Sequence, residues 1–432
     1  MYRNALEKLK PCKKDQNRQP LILQGARQVG KTWLMQEFGR LEFENTLYIN
    51  FEFNEEARSL FDKNLDPKRI LQDLYTLTGQ AITPDTLVIF DEVQNCPRAL
   101  TSLKYFCENL PQQPVLAAGS LLGVALHKGT SFPVGKVGFL YVYPLTFLEF
   151  VRAVGNEHLY KFLLKCDFES MYVVKRQCEE LLKQYCYVGG MPKAVAEFAQ
   201  TKNYQNVREI QLNLLKTYEQ DFSKYVTNTS ANRLYEVWHS VHTQLAKENK
   251  KFVYGAIREG ARAREYEQAI EWLRDSGLVY KLHRISKPGM PLGMYQDLNA
   301  FKLFMVDVGL LGALSELEAK TLLDGNRMLT EFKGALTEQY VLQQLKADPH
   351  LPVYYWTSKA QAEVDFVIQH DSKIIPIEAK AATNLRAKSL KTYCDEYKPE
   401  TAVRFSMSDY KQTGNLYDIP LYMVELFRQI IK

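Results

Sequence analysis

The sequence predicts an α/β chain of several domains, and three stretches carry that prediction. Pro20–Phe38 (PLILQGARQVGKTWLMQEF) reads as a buried strand, a glycine-bent turn and an amphipathic helix. Leu87–Glu92 (LVIFDE) is an apolar run ending in two carboxylates. Glu363–Ile368 and Ile374–Lys380 (EVDFVI and IIPIEAK) are strand-like runs in which acids, and then an acid and a lysine, recur at period two.

The first stretch sets the amino-terminal domain, expected over residues 1–150. After the strand Leu21–Leu23 come Gly25, Ala26, Arg27, Gln28, Val29, Gly30, Lys31 and Thr32, the G-x-x-x-x-G-K-[ST] phosphate loop in a strand–loop–helix context. Two glycines let successive backbone N–H groups point at one anion, and the helix N-terminus adds partial positive charge. Lys31 is then the group that neutralises the outer phosphates, and the Thr32 hydroxyl is a hard ligand for Mg²⁺. Leu47–Phe53 alternates as a second strand, Ile70–Leu77 reads as a helix, and Leu87–Glu92 is the strand on the metal side. There Asp91 holds Mg²⁺ through water, and Glu92 polarises the attacking water as catalytic base. Pro114–Ser120 is a small-residue strand with Ser120 at its carboxyl edge, either a sensor of the terminal phosphate or a turn serine. Phe139–Tyr143 is a fifth strand. Strands alternating with helices imply a parallel, doubly wound sheet with its ligand at the carboxyl ends of the strands.

The totals narrow the remaining choices. At 432 residues the chain exceeds one core, and 46% hydrophobic with 24% charged residues is ordinary for a globular protein. A net charge of +5 permits a nucleic-acid partner without arguing for one. The seven cysteines are scattered and form no C-x-x-C pair, which suits free thiols in a reducing cytoplasm and disfavours a disulfide framework or zinc knuckle. The seven histidines do not cluster as metal ligands. No signal-peptide core and no apolar run of about 18 residues stands in the sequence, so no membrane partner is expected.

GARQVGKT, LVIFDEVQ, AAGSLLG, YPLTFLEF and YVGGMPKAV (Tyr187–Val195), in that order, resemble a bacterial group of AAA-type ATPases with a C-terminal domain of unknown function. The resemblance covers nearly the whole chain and implies ATP as ligand with Mg²⁺. It also implies a helical lid, expected over 151–230, where helical periodicity is broken only at Gly189-Gly190-Met191-Pro192. That double glycine suits close backbone packing, a hinge or, equally, a plain turn between helices. Where the group tends to have Gly-Arg, this chain has Gly135-Lys136, and lysine lacks the guanidinium fork of an arginine finger. Rings are common in such proteins, so an oligomer is allowed.

Residues 231–310 read as three helices (Arg233–Lys247, Val253–Arg258, Arg262–Ser276) and two strands (Leu278–Ile285, Leu303–Val306), the outline of a winged helix-turn-helix. Arg258, Arg262 and Arg264 suit a major-groove reader, while Glu265, Glu267 and Glu271 on the same helix oppose that use. Residues 311–432 form a second α/β domain, with a helix Thr330–Leu345 bearing Glu338 and strands at Val353–Trp356, Glu363–Ile368 and Ile374–Lys380. Asp365, a hairpin and then Glu378-x-Lys380 resemble the core of the PD-(D/E)xK nuclease superfamily, a restriction-endonuclease-like fold, with Glu338 as the upstream helical acid. The resemblance implies Glu338, Asp365 and Glu378 as ligands of Mg²⁺. Asp365, Glu378 and Lys380 are then the catalytic residues of phosphodiester cleavage. The bland alternative is a salt-bridged sheet face.

Two functions therefore compete. In one, ATP hydrolysis drives the handling of DNA or another nucleic acid by the C-terminal domain. In the other, the chain is a nucleotide-dependent switch or scaffold that binds partner proteins and carries an inert nuclease-like domain. A phosphotransferase would need an acceptor site, and no stretch suggests one.

Overall fold

Short apolar runs bounded by turns can bury both faces only inside a helix-covered sheet, and this chain builds such a sheet first. The structure, a computed structural model, describes residues 1–15, 18–119, 133–225, 228–247, 251–323, 330–358, 362–381 and 388–431. The expectation for Ser120 falls outside the described residues. The chain divides into two units, one of Met1–Tyr143 with Asp275–Gly277 and one of Pro144–Arg274 with Leu278–Lys432. The expected segments 151–230, 231–310 and 311–432 thus lie almost wholly in the second unit.

In the first unit, β1 (Leu21–Gln24), β2 (Asn45–Asn50), β3 (Thr86–Asp91), β4 (Val115–Ala118) and β5 (Gly138–Tyr141) form a parallel sheet in the order β2-β3-β4-β1-β5. Every residue of β3 and β4 is buried, as a central strand requires. β2 stops at Asn50 rather than running to Phe53. The Phe51 N–H bonds the Asp91 carbonyl, and the Phe51 ring turns into a cluster with Phe61 and Phe90, leaving Phe53 81% exposed. Edge-to-face packing of that kind adds about 0.5–1.5 kcal/mol per pair beyond the area buried. Helix Lys31–Glu42 follows the first loop directly, and Pro67–Thr78 starts at an Asp66 cap with proline in its first turn and ends at Gly79 with φ of 70°.

The second unit begins with helices Phe147–Ala153, Glu157–Leu163, Met171–Val188, Pro192–Thr201, Tyr204–Tyr225 and Asn228–Leu245. The first opens on a full capping box, Thr146 with Glu149. Of the three helices expected in 231–310, the middle one is a single 3-10 turn at Tyr254–Ala256, followed by helix Ala263–Asp275. The two strands are β6 (Val279–Ile285) and β7 (Gln296–Met305), antiparallel, with β7 starting seven residues earlier than its apolar core suggested. They are not a separate wing. β6 also pairs in parallel with β8 (Val353–Thr357) through Arg284 and Ile285, so the hairpin is the edge of an eight-stranded sheet. That sheet continues through β9 (Glu363–His370), β10 (Lys373–Ala379), β11 (Ala402–Ser406), β13 (Leu416–Pro420) and β12 (Lys411–Thr413), in the order β12-β13-β11-β10-β9-β8-β6-β7.

A buried polar knot ties the helices to this sheet. The Asp307 carboxylate accepts from the N–H groups of Gly190 (2.6 Å), Gly309 (3.0 Å) and Leu310 (3.1 Å) and from Gln343 Nε2 (3.0 Å). Gln343 Nε2 also donates to Tyr185 Oη, which donates to the Leu145 carbonyl, while Gln343 and Gln344 accept from the N–H groups of Val308 and Phe147. Both glycines of the double-glycine break are there for close approach. A Cβ on Gly189, which has φ of 72°, would lie 2.1 Å from Asp307 Oδ1, and one on Gly190 would lie 2.1 Å from the Leu145 carbonyl oxygen. The packing alternative therefore accounts for both.

Asp307→Ala leaves three buried N–H groups without their acceptor and removes a helix cap. It is expected to cost about 2–4 kcal/mol of stability. Gly190→Ala is expected to destabilise comparably by steric clash. Urea denaturation followed by circular dichroism checks both, and a change within about 0.5 kcal/mol, the size of an ordinary surface substitution, would count against the knot.

Candidate functional site

The loop that follows β1 needs backbone angles few residues adopt. Gly25 has φ of 138°, Gln28 63° and Gly30 92°. A Cβ on Gly25 would stand 2.1 Å from the Val142 carbonyl oxygen, so only glycine passes there. Lys31 opens the helix behind the loop, 7% exposed, and its Nζ donates to the carbonyls of Gly25 and Ala26, both at 2.9 Å. Those partners are neutral. Burial pulls its pKa down to about 8, with Glu92 and Asp91 opposing the fall and Arg27 adding to it. A buried cation seated on carbonyl oxygens is a fit for an anion entering the loop.

β3 delivers the carboxylates to the same loop. Thr32 Oγ1 donates to Asp91 Oδ2 at 2.6 Å, and Tyr48 Oη on the neighbouring β2 donates to the same oxygen at 3.0 Å. Asp91 Oδ1 takes the N–H of Glu92 at 3.0 Å, and the residue is 2% exposed. Burial first, and Asp91 with it, pushes the Tyr48 phenol up to about 12, so it remains a donor. Glu92 sits in the left-handed region at φ of 52° and takes a hydrogen bond from Gln94 Nε2. Thr32 and Asp91 lie together as hard oxygen ligands for Mg²⁺ would, so the residues fit that ion. Tyr48 and Gln94 escaped sequence reading. The signal for Tyr48 was its place in β2, one strand from Asp91. Lys136 pairs with Glu108 at 3.1 Å on a part-exposed surface, a contact of small energetic weight.

The acid–lysine strands form a second centre, in the second unit. β9 and β10 join through Asp371 and Ser372, both at positive φ (46° and 58°), the two-residue turn whose twist suits a hairpin. Asp365 Oδ2 accepts the Ala379 N–H at 2.8 Å, and Glu378 Oε1 meets Lys380 Nζ at 2.5 Å. Burial raises the Glu378 pKa, Lys380 opposes the rise, and Glu338 and Glu363 add to it. Glu338 is brought to this centre from helix Thr330–Lys346, but not to a metal cage. Among the described residues, no three His, Cys, Asp or Glu side chains gather as a metal-holding group. Instead Lys302, from β7, is fully buried between Glu363 and Glu338, its Nζ 3.8 Å from Glu338 Oε2. Lys302 lies just outside the strand expected at Leu303–Val306 and escaped sequence reading.

Arg258, Arg262 and Arg264 are exposed around the start of helix Ala263–Asp275, whose opposite face buries Tyr266, Ile270 and Leu273. No helix among the described residues is long and apolar enough to cross a membrane.

Residues 17–151 match the family model described as an AAA domain. Residues 179–321 and 333–423 match two domains of unknown function, DUF8612 and DUF4143. No curated protein matches the chain. Among solved structures, the chain is similar to the Walker-type ATPase PABY2304 of Pyrococcus abyssi, at 14% identity over 72% of this chain and 94% of that one, with a TM-score of 0.44. It is similar at 16% identity, over 72% of this chain and 90% of that one, to the ORC1 protein of Aeropyrum pernix in complex with DNA, with a TM-score of 0.24. Drosophila ORC bound to DNA is similar at 13% identity, over 73% of this chain and 95% of that one, with a TM-score of 0.25. Likeness this distant carries no function across. The family match, together with the loop and strand order, makes residues 17–151 an AAA-type P-loop ATPase domain.

Proposed function

We propose that the protein hydrolyses ATP with Mg²⁺ at the loop Gly25–Thr32, and that a nuclease-like C-terminal region grips nucleic acid in response. The observation that carries the reading is the buried Lys31 ammonium beside the Thr32–Asp91 hydrogen bond. When the triphosphate enters, Lys31 exchanges its two carbonyl partners for the outer phosphates. Thr32 and Asp91 would hold Mg²⁺, Thr32 through its hydroxyl and Asp91 through its carboxylate. Bound Mg²⁺ supplies positive charge where the leaving oxygen becomes negative. Glu92 takes the proton of the water that adds to the terminal phosphorus, while the bond to the diphosphate breaks. Gln94 holds the Glu92 carboxylate meanwhile.

Nucleic acid as partner is supported by the exposed Arg258, Arg262 and Arg264 and by strand order. A helix bearing Glu338, three successively antiparallel strands, a helix (Lys388–Tyr397) and a parallel strand run in the sequence expected of a PD-(D/E)xK core. A second reading, metal-dependent phosphodiester cleavage by Glu338, Asp365, Glu378 and Lys380, is favoured by one observation. Glu378 Oε2 is buried with no hydrogen-bond partner.

Mg²⁺-dependent phosphate release is expected to fall by about 10²-fold or more in Lys31→Ala and in Glu92→Gln, with Glu92→Gln still binding nucleotide. Equal rates in wild type and Lys31→Ala would sink the reading. The Lys31 pKa gives a second check. With about 8 in the folded protein against 10.5 for the free side chain, the folded state holds fewer protons than the unfolded one between those values, so stability without nucleotide rises with pH across that window. A bound triphosphate reverses the shift, so binding at pH 8 takes up as much as about half a proton. Calorimetry in buffers of different ionisation enthalpy measures that uptake, and Lys31→Met should abolish it. For the second reading, nicking of plasmid DNA with Mn²⁺ that disappears in both Asp365→Ala and Lys380→Ala would establish cleavage, and nicking that survives both would reject it.

A further inference from the structure

The acid–lysine centre of the second unit contains one more positive group than its motif calls for. Lys302 lies on β7, in the run Ala300–Met305 whose residues are all buried, and its side chain has no exposure to solvent. Its ammonium bonds the Glu363 carboxylate, stands 3.8 Å from Glu338 Oε2 and rests 4.8 Å from the centre of the Tyr355 ring. Two carboxylates, Glu363 and Glu338, flank this buried ammonium as ion-pair partners. Lys380 likewise pairs with Glu378.

Two ammonium groups thus stand among Glu338, Glu363, Asp365 and Glu378, and together they bring the charge of one divalent ion. Metal-dependent cleavage would need that charge as an ion with open coordination positions, and three of the acids instead each have an oxygen engaged, Glu378 keeping only Oε2 without a hydrogen-bond partner. Glu363 is taken by Lys302, Glu378 Oε1 by Lys380 at 2.5 Å, and Asp365 Oδ2 by the Ala379 N–H at 2.8 Å. A divalent ion beside Glu338 would also lie within a few ångströms of the Lys302 ammonium, a repulsive like-charge contact.

We propose that Lys302 is a built-in cation that occupies the acidic centre in place of a divalent metal. The centre is then closed to a divalent ion. The proposal rests on the nuclease-like reading of these strands and removes cleavage from it. Replacing Lys302 by a neutral side chain of similar length vacates the position and exposes the carboxylates to a divalent ion.

Mn²⁺ binding to the full, nucleotide-free chain tests this by electron paramagnetic resonance. Wild type and Asp365→Asn are expected to bind equal numbers of Mn²⁺. Lys302→Met is expected to gain one Mn²⁺ per chain and to lose it again in the Lys302→Met/Asp365→Asn double variant. An Asp365-dependent Mn²⁺ in wild type would overturn the proposal while leaving the nuclease-like reading intact. A folded Lys302→Met chain with no added Mn²⁺ would overturn it as well. If Lys302→Met does not fold, the comparison of wild type with Asp365→Asn decides: equal counts support the internal cation, and a wild-type excess rejects it. Loss of DNA binding in Lys380→Ala, measured separately, bears on the gripping function alone.

Discussion

A charged ammonium cannot be left in a protein interior without something to hold it, and the Lys31 ammonium is held by the carbonyls of Gly25 and Ala26. That arrangement dictates the rest of the first unit. The loop must curl tightly enough to offer both carbonyls, which requires φ of 138° at Gly25 and 92° at Gly30. It must leave β1 between β4 and β5, with the loop at the carboxyl ends of the strands, where open α/β sheets bind ligands. It also needs β3 alongside, so that Asp91 can meet Thr32 at 2.6 Å. The carbonyl partners are neutral, and burial lowers the pKa of the lysine despite Glu92 and Asp91 nearby.

The second unit solves a different problem. Its helices and its eight-stranded sheet meet through polar side chains, where an apolar seam would have been simpler. Asp307 gathers four donors, and Gln339, Gln343 and Gln344 of one helix reach Met305, Val308 and Phe147, each main-chain N–H taken by a side-chain oxygen. Such bonds demand fixed geometry in a way that apolar packing does not, because a buried donor left unmatched costs more than the bond contributes. The two regions that match separate domain families of unknown function are joined by this knot, since Asp307 lies in one and Gln343 in the other.

Local pattern made much of this visible in advance. The five parallel strands are short apolar runs, and the phosphate loop is a fixed spacing of glycines, lysine and threonine, so sequence reading located both. The hairpin carrying Asp365 and Glu378 was equally legible from period-two alternation. What escaped were partners far apart in the chain. Lys302 stands alone in FKLFMV, and its partners Glu338 and Glu363 lie 36 and 61 residues further on. Gln343 and Gln344 carry no signal within the helix expected at Thr330–Leu345, yet both are buried. The expected wing misled because β6 pairs on its far side with β8, and a strand does not announce its second neighbour. The double glycine was ambiguous until Asp307 and Leu145 were found against it.

The proposed ligand of the first unit's loop is a triphosphate. Equilibrium binding of ATP to the intact chain in the presence of Mg²⁺, by titration calorimetry, tests that assignment most directly. One ATP per chain is predicted, weakened about tenfold or more in Lys31→Met, the loss of a charge-assisted hydrogen bond. A wild-type chain that retains no nucleoside triphosphate under those conditions would contradict the account.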